Sequence, residues 1–256
     1  MRWLVLLLIA RTAYADSTDF VARPLVLDGG QVSAQLVIEN NLAPSGGFAK
    51  PLSFAPDLWV GVTPRLTLGI IHSDPSVDRI SPGASVCVRT DDFICTEVYR
   101  GGGLDALYAP DVSGMPGQVS VAAHARLLIR DLDPVKPALT LGASARWQHG
   151  RFAVSADPFL QLGLGNNTRG NRAELWIPIV LAVQPTCRWV FELHTGWDSD
   201  VAIIDEDGWH VPVGFAVRAA ATTHLDLGGE FGFTSLLGPQ NNPKQRVAFL
   251  TVGWRS

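Results

Sequence analysis

Past its opening residues the chain has no apolar run long enough to cross a bilayer as a helix, because Gly, Pro or a charge interrupts every stretch. It also lacks an amphipathic helix of useful length, so a sheet built from this sequence has no helical layer to cover it. The one early run, Trp3 to Ala10, follows the charged start Met1-Arg2 and precedes the small-x-small tripeptide Ala13-Tyr14-Ala15. That pattern predicts a secretory signal over residues 1–15, and the run is too short for a spanning helix. Residues 16–30 show no sustained alternation and read as an N-terminal periplasmic segment, which leaves 31–256 as the folded unit.

Cysteine is scarce, with three in the chain. Cys87 and Cys95 are close enough to form a disulfide around a small loop in an exported protein. No His or further Cys stands at ligand spacing, which disfavours a metal pair. Cys187 is left over in a predicted turn. Positive charge is also short: 20 Lys and Arg stand against 24 Asp and Glu, a net charge of −4 that becomes −6 without Arg2 and Arg11. Such a balance argues against a nucleic-acid partner. No serine sits in a glycine-flanked elbow, no His-x-Ser pair lies on a strand, and nothing in the sequence asks for a cofactor.

What the sequence does have is alternation. From Leu139 to Trp147 the odd positions are Leu139, Leu141, Ala143, Ala145 and Trp147, and the even ones Thr140, Gly142, Ser144 and Arg146. After a turn at Gln148–Arg151, Phe152, Val154, Ala156, Leu160 and Leu162 continue the apolar face, opposite Ala153, Ser155, Asp157, Gln161 and Gly163. With no second layer to bury the apolar rows, the economical structure is a closed barrel with those rows toward lipid and the polar rows inward. Twelve strands follow, at about 31–39, 54–63, 66–72, 98–108, 118–129, 139–147, 152–163, 173–184, 189–198, 209–219, 225–235 and 246–254. Gly101-Gly102-Gly103 weakens the fourth, and Pro178 in the eighth should remove one ladder bond. Connections after even strands are mostly short, those after odd strands mostly long, and the longest, about 73–97, contains the cysteine pair.

The run Gly61-Val62-Thr63-Pro64-Arg65-Leu66-Thr67-Leu68-Gly69 resembles the short-turn hairpins of bacterial outer-membrane, porin-like barrel proteins. The resemblance is strict for this hairpin and extends to the rest by pattern. It implies an all-β, transmembrane, antiparallel up-and-down β-barrel in a Gram-negative outer membrane, with extracellular loops and both termini periplasmic. The partners it implies are membrane lipid, lipopolysaccharide and, during biogenesis, the barrel assembly machinery.

Aromatic residues cluster at strand ends: Trp147, Phe152, Trp189 and Trp254 at one, Trp197, Trp209 and Phe233 at the other. Eight steps from Trp189 to Trp197, at ~3.3 Å each and a tilt of ~40°, rise about 20 Å, near the ~25 Å band between interfacial girdles. The inward face carries Asp57, Asp105, Asp157, Glu174, Glu192, Asp226 and Glu230 against Arg126, Arg146 and Arg218, with His124 and His194 among them. Such a lining either favours cations in a pore or pairs internally and fills the barrel. The acidic run Asp198, Asp200, Asp205, Glu206 and Asp207 lacks the alternating ligands of a calcium loop and reads as a solvated loop. The expected function is a passive channel for small polar solutes with a mildly cation-favouring lumen. The alternatives are a hydrolase at the outer rim around Asp207 and His210, or a plugged structural or attachment barrel.

Overall fold

A computed structural model describes residues 18–42, 52–73, 86–88, 99, 101–110, 118–202 and 208–256. The strands are β1 Val32–Asn41, β2 Leu52–Thr63, β3 Leu66–Ile71, β4 Gly102–Tyr108, β5 Val119–Leu132 and β6 Val135–His149. Next come β7, in two segments Phe152–Ala156 and Phe159–Gly163, β8 Glu174–Val183, β9 Trp189–Asp200, β10 Trp209–Ala220, β11 Leu225–Leu237 and β12 Arg246–Arg255. Each pairs antiparallel with the next, and β12 returns to β1 with Leu250 opposite Ile38, so the sheet closes into a twelve-strand barrel. A short strand, Val86–Val88, pairs with Leu52–Phe54 at the end of β2 that β3 does not reach.

Burial is inverted relative to a soluble protein. Leu58, Ile70, Leu104, Leu127, Leu141, Phe152 and Leu250 are exposed, while Asp57, Thr67, Asp105, His124, Arg126 and Thr140 on the same strands are buried. On β10 the step from Phe215 to Ala216 takes exposure from 61% to 4%. This is the pattern of a transmembrane barrel, whose apolar rows face hydrocarbon and whose polar rows satisfy one another inside.

Two details differ from the sequence reading. Strand β7 breaks at Asp157-Pro158 without changing register, since Ala156 pairs with Ala145 before it and Phe159 with Gly142 after it. Across the sheet, Pro178 lies at the same level and its carbonyl accepts the Asp157 N–H at 3.2 Å. The two prolines, on adjacent strands, donate nothing to the ladder, while the Asp157 N–H and the Pro158 carbonyl, which accepts from Ala143 at 3.1 Å, keep the strand tied on both sides. Gly142 makes room for the break: a Cβ there would lie 2.3 Å from the Pro158 oxygen. The β5–β6 link is also tighter than a loop over 131–136, because β5 runs to Leu132 and β6 starts at Val135. Lys136 bridges back to Asp131 at 2.8 Å and holds that hairpin shut.

Candidate functional site

The interior is organised from the short-turn end upward. Residues 18–30, ahead of β1, lie across this end and inside the wall. Phe20 and Val21 pack on the inward side chains Ala153, Val190 and Ala220, small residues that leave a hollow for them. Gln184 accepts the Val21 N–H and donates to the Thr18 carbonyl, both at 3.1 Å. Arg23 forks onto Asp226 at 2.8 and 2.9 Å and lies over the Phe20 ring, and its carbonyl accepts from Nη1 of Arg146. Farther along, the Leu27 N–H donates to Thr67 Oγ1 at 2.7 Å. Gly61 lets this segment approach β2, because a Cβ would sit 2.0 Å from the Asp28 oxygen.

Above the segment, His124 on β5 has a carboxylate on each ring nitrogen: Asp105 Oδ1 at 2.6 Å from Nε2 and Asp157 Oδ1 at 2.9 Å from Nδ1. Arg126 donates to the same two carboxylates at 3.3 and 3.1 Å. Trp59 Nε1 donates to Asp105 at 2.9 Å, and Ser144 Oγ to Asp157 at 2.6 Å. In its cationic form the imidazole donates at both nitrogens, and two positive groups then balance two carboxylates. Ser144 is also 3.3 Å from His124 Nδ1. Its hydroxyl is closer to Asp157, at 2.6 Å, so the Ser144 proton is directed at the carboxylate rather than at the imidazole. A cavity of about 280 Å³ opens beside the cluster, between Trp59, Thr67, Arg126 and the Leu25 and Leu27 side chains of the N-terminal segment.

The opposite wall repeats the motif. His194 stands 3.1 Å from both Glu192 and Glu230, and Arg218 Nε lies 2.9 Å from Glu192. Toward the loop end, Arg130 meets Glu174 with two bonds of 3.2 Å, and Gln161 and Trp176 donate to the same carboxylate. Asp57 accepts the His72 and Ser73 N–H groups at 2.6 and 3.0 Å and the Ser73 hydroxyl, tying down the end of β3.

Trp147, Phe152, Trp189 and Trp254 sit exposed at the short-turn ends of their strands, whereas Trp197, Trp209 and Phe233 are half-buried toward the loop end. His210 lies 3.5 Å from Asp198. Asp205, Glu206, Asp207, Cys95 and the segment 1–15 fall outside the described residues, and Cys187 is exposed and free. Arg23, Arg130 and Trp176 were missing from the sequence-derived lining. Arg130 had a signal, being two steps beyond His124-x-Arg126-x-Leu128 on the inward parity of a strand that runs longer than its alternation suggests.

No protein-family model matches the sequence, and none of the curated proteins matches it. Solved structures do. The KdgM porin, in complex with disordered oligogalacturonate, aligns with a TM-score of 0.58 at 8% identity over 87% of this chain and 98% of that one. The NanC porin aligns at 0.55 with 7% identity over 87% and 98%. An outer membrane channel from Pseudomonas putida F1 aligns at 0.56 with 12% identity over 90% and 97%. At these identities the likeness is one of fold: the chain has the barrel architecture of bacterial outer-membrane porins and channels.

Proposed function

We propose that the protein is a passive outer-membrane channel for small polar solutes, with the long connections extracellular and both termini periplasmic. The observation that carries this reading is the interior itself, a polar lining with a cavity of about 280 Å³ inside a wall whose outer surface is apolar. A barrel needing only to anchor itself could fill its centre with aliphatic side chains, whereas water and solute need hydrogen-bonding walls. Charge preference is mild, because Asp226 is matched by Arg23 and Arg255, Glu174 by Arg130 and Glu192 by Arg218. The net charge of −6 without Arg2 and Arg11 tips it toward cations. Trp147, Phe152, Trp189 and Trp254 serve as one interfacial girdle and Trp197, Trp209 and Phe233 as the other. Cys87 and Cys95 close the long β3–β4 connection as a disulfide.

Planar-bilayer recording tests the reading: discrete conductance steps with a small cation-directed reversal potential are expected, and a silent membrane contradicts it. The position of residues 18–30 across the short-turn end supports a second reading, a barrel occluded at rest, in which conductance rises when that segment is released.

A further inference from the structure

We infer that the outer wall over β6 to β10 carries a binding site for one glycerophospholipid, with an acyl chain in an aromatic-walled groove and the phosphate at the arginines beneath it. The groove is open to the outside, offers about 580 Å³ and is built from two cross-strand rows. Nearest the turns run His149, Phe152, Val183 and Phe191, each paired with the next across the sheet. One level up run Trp147, Val154, Leu181, Leu193 and Phe215 in the same way. Trp147 and Phe152 form one wall, Phe191 and Phe215 the other, and all four are exposed; the shorter Val183 and Leu181 of β8 form the floor between them. The channel so formed runs along the strands, the direction an acyl chain takes in its leaflet. Trp147 stacks on His149 at 5.9 Å and 5°, which stiffens that wall at its lower end.

The foot of the groove is basic. Nη1 of Arg151 donates to the Pro185 carbonyl, which carries its guanidinium past β7 to the turn below Val183. Arg188 lies in the same turn, and both arginines are exposed. The turns at 64–65, 150–151, 184–188 and 221–224 contain no carboxylate, whereas Asp131, Asp133, Asp198 and Asp200 gather at the opposite end. An apolar channel whose turn end carries the Arg151 guanidinium, with Arg188 in the turn below Val183 and His149 on the lowest row, matches one phosphodiester headed by aliphatic chains, since guanidinium is the side chain best suited to phosphate oxygens. Lipid A, with its many chains and paired phosphates, is too broad for a single groove with one basic foot.

The test uses the full-length barrel, delipidated in detergent and titrated with phosphatidylglycerol under native mass spectrometry. A single saturable adduct is expected. Replacing both Arg151 and Arg188 by Ala should weaken it at least about tenfold, the factor that the loss of even one charge-assisted contact brings. Val183→Trp, which fills the floor from the lipid side, should abolish the adduct while heat-modifiable gel migration stays that of the folded barrel. The proposal is overturned if V183W binds phosphatidylglycerol as the parent does, or if adducts accumulate without saturation. It is equally overturned if lipopolysaccharide saturates the site in place of phosphatidylglycerol, or if the groove is occupied by a second copy in dimers that added lipid does not dissociate.

Discussion

Arg23 holds Asp226 through two hydrogen bonds of 2.8 and 2.9 Å, joining a segment that precedes the first strand to the inner wall of the eleventh. Because both side chains are only 17% exposed, neither has bulk water as a ready substitute partner. Asp226→Ala therefore removes the anchor and leaves Arg23 poorly compensated. At ~1.5–3 kcal/mol for a charge-assisted bond, the released population should rise about tenfold or more. Single-channel recording is expected to show a larger conductance or longer open times than in the parent; an unchanged trace would show that residues 18–30 do not limit flow.

Gly61 makes a prediction of the same sign by a different route. A Val at this position drives its Cβ into the Asp28 carbonyl, which sits 2.0 Å from where that atom must go. The expected outcome for Gly61→Val is displacement of residues 18–30 with the strands intact, read as chymotrypsin cleavage after Phe20 or Leu25 in a barrel that still migrates as folded. Resistance to chymotrypsin equal to that of the parent would contradict the close approach.

Within the His124 cluster, Asp105 accepts from three donors on β2 and β5: Trp59, His124 and Arg126. Asp105→Asn removes the charge opposing Arg126 and His124 where all three are nearly inaccessible. Breaking one partner of a buried pair costs about 3–5 kcal/mol. Urea unfolding in lipid vesicles should show a loss on that scale, and the Asp105–His124 double-mutant cycle should show coupling of ~0.5–3 kcal/mol. Additive single variants would mean the contacts are incidental.

Neutralising the second cluster should alter selectivity. Glu192→Gln combined with Glu230→Gln leaves His194 and Arg218 without their carboxylates. The reversal potential in a salt gradient should move toward anions, and lowering the salt should enlarge the shift because screening weakens. No movement would mean that ions pass elsewhere.

The strands were legible because a barrel wall writes its two faces into alternate residues, as in Leu139, Leu141 and Ala143 against Thr140, Gly142 and Ser144. Partnerships were not legible. That His124 meets Asp157, beyond β6, depends on wall curvature and on the Pro158 break, and neither leaves a periodic trace. The inward location of Phe20 and Val21 was hidden for a related reason. A segment without regular structure presents no face, and its complement is spread over Ala153, Val190 and Ala220 on three distant strands. Arg130 escaped because alternation fades where β5 passes Ile129, at the register shift before Leu132.

The claim beneath all of these is that the apolar rows of the wall face hydrocarbon and the polar rows face the interior. Spin labels placed one at a time at residues 215 to 218 of β10, in liposomes and with Cys187 replaced by Ser, test it directly. Oxygen, which concentrates in the bilayer, should broaden the labels at 215 and 217, while a polar nickel reagent reaches those at 216 and 218. The opposite alternation, or none, would contradict the account.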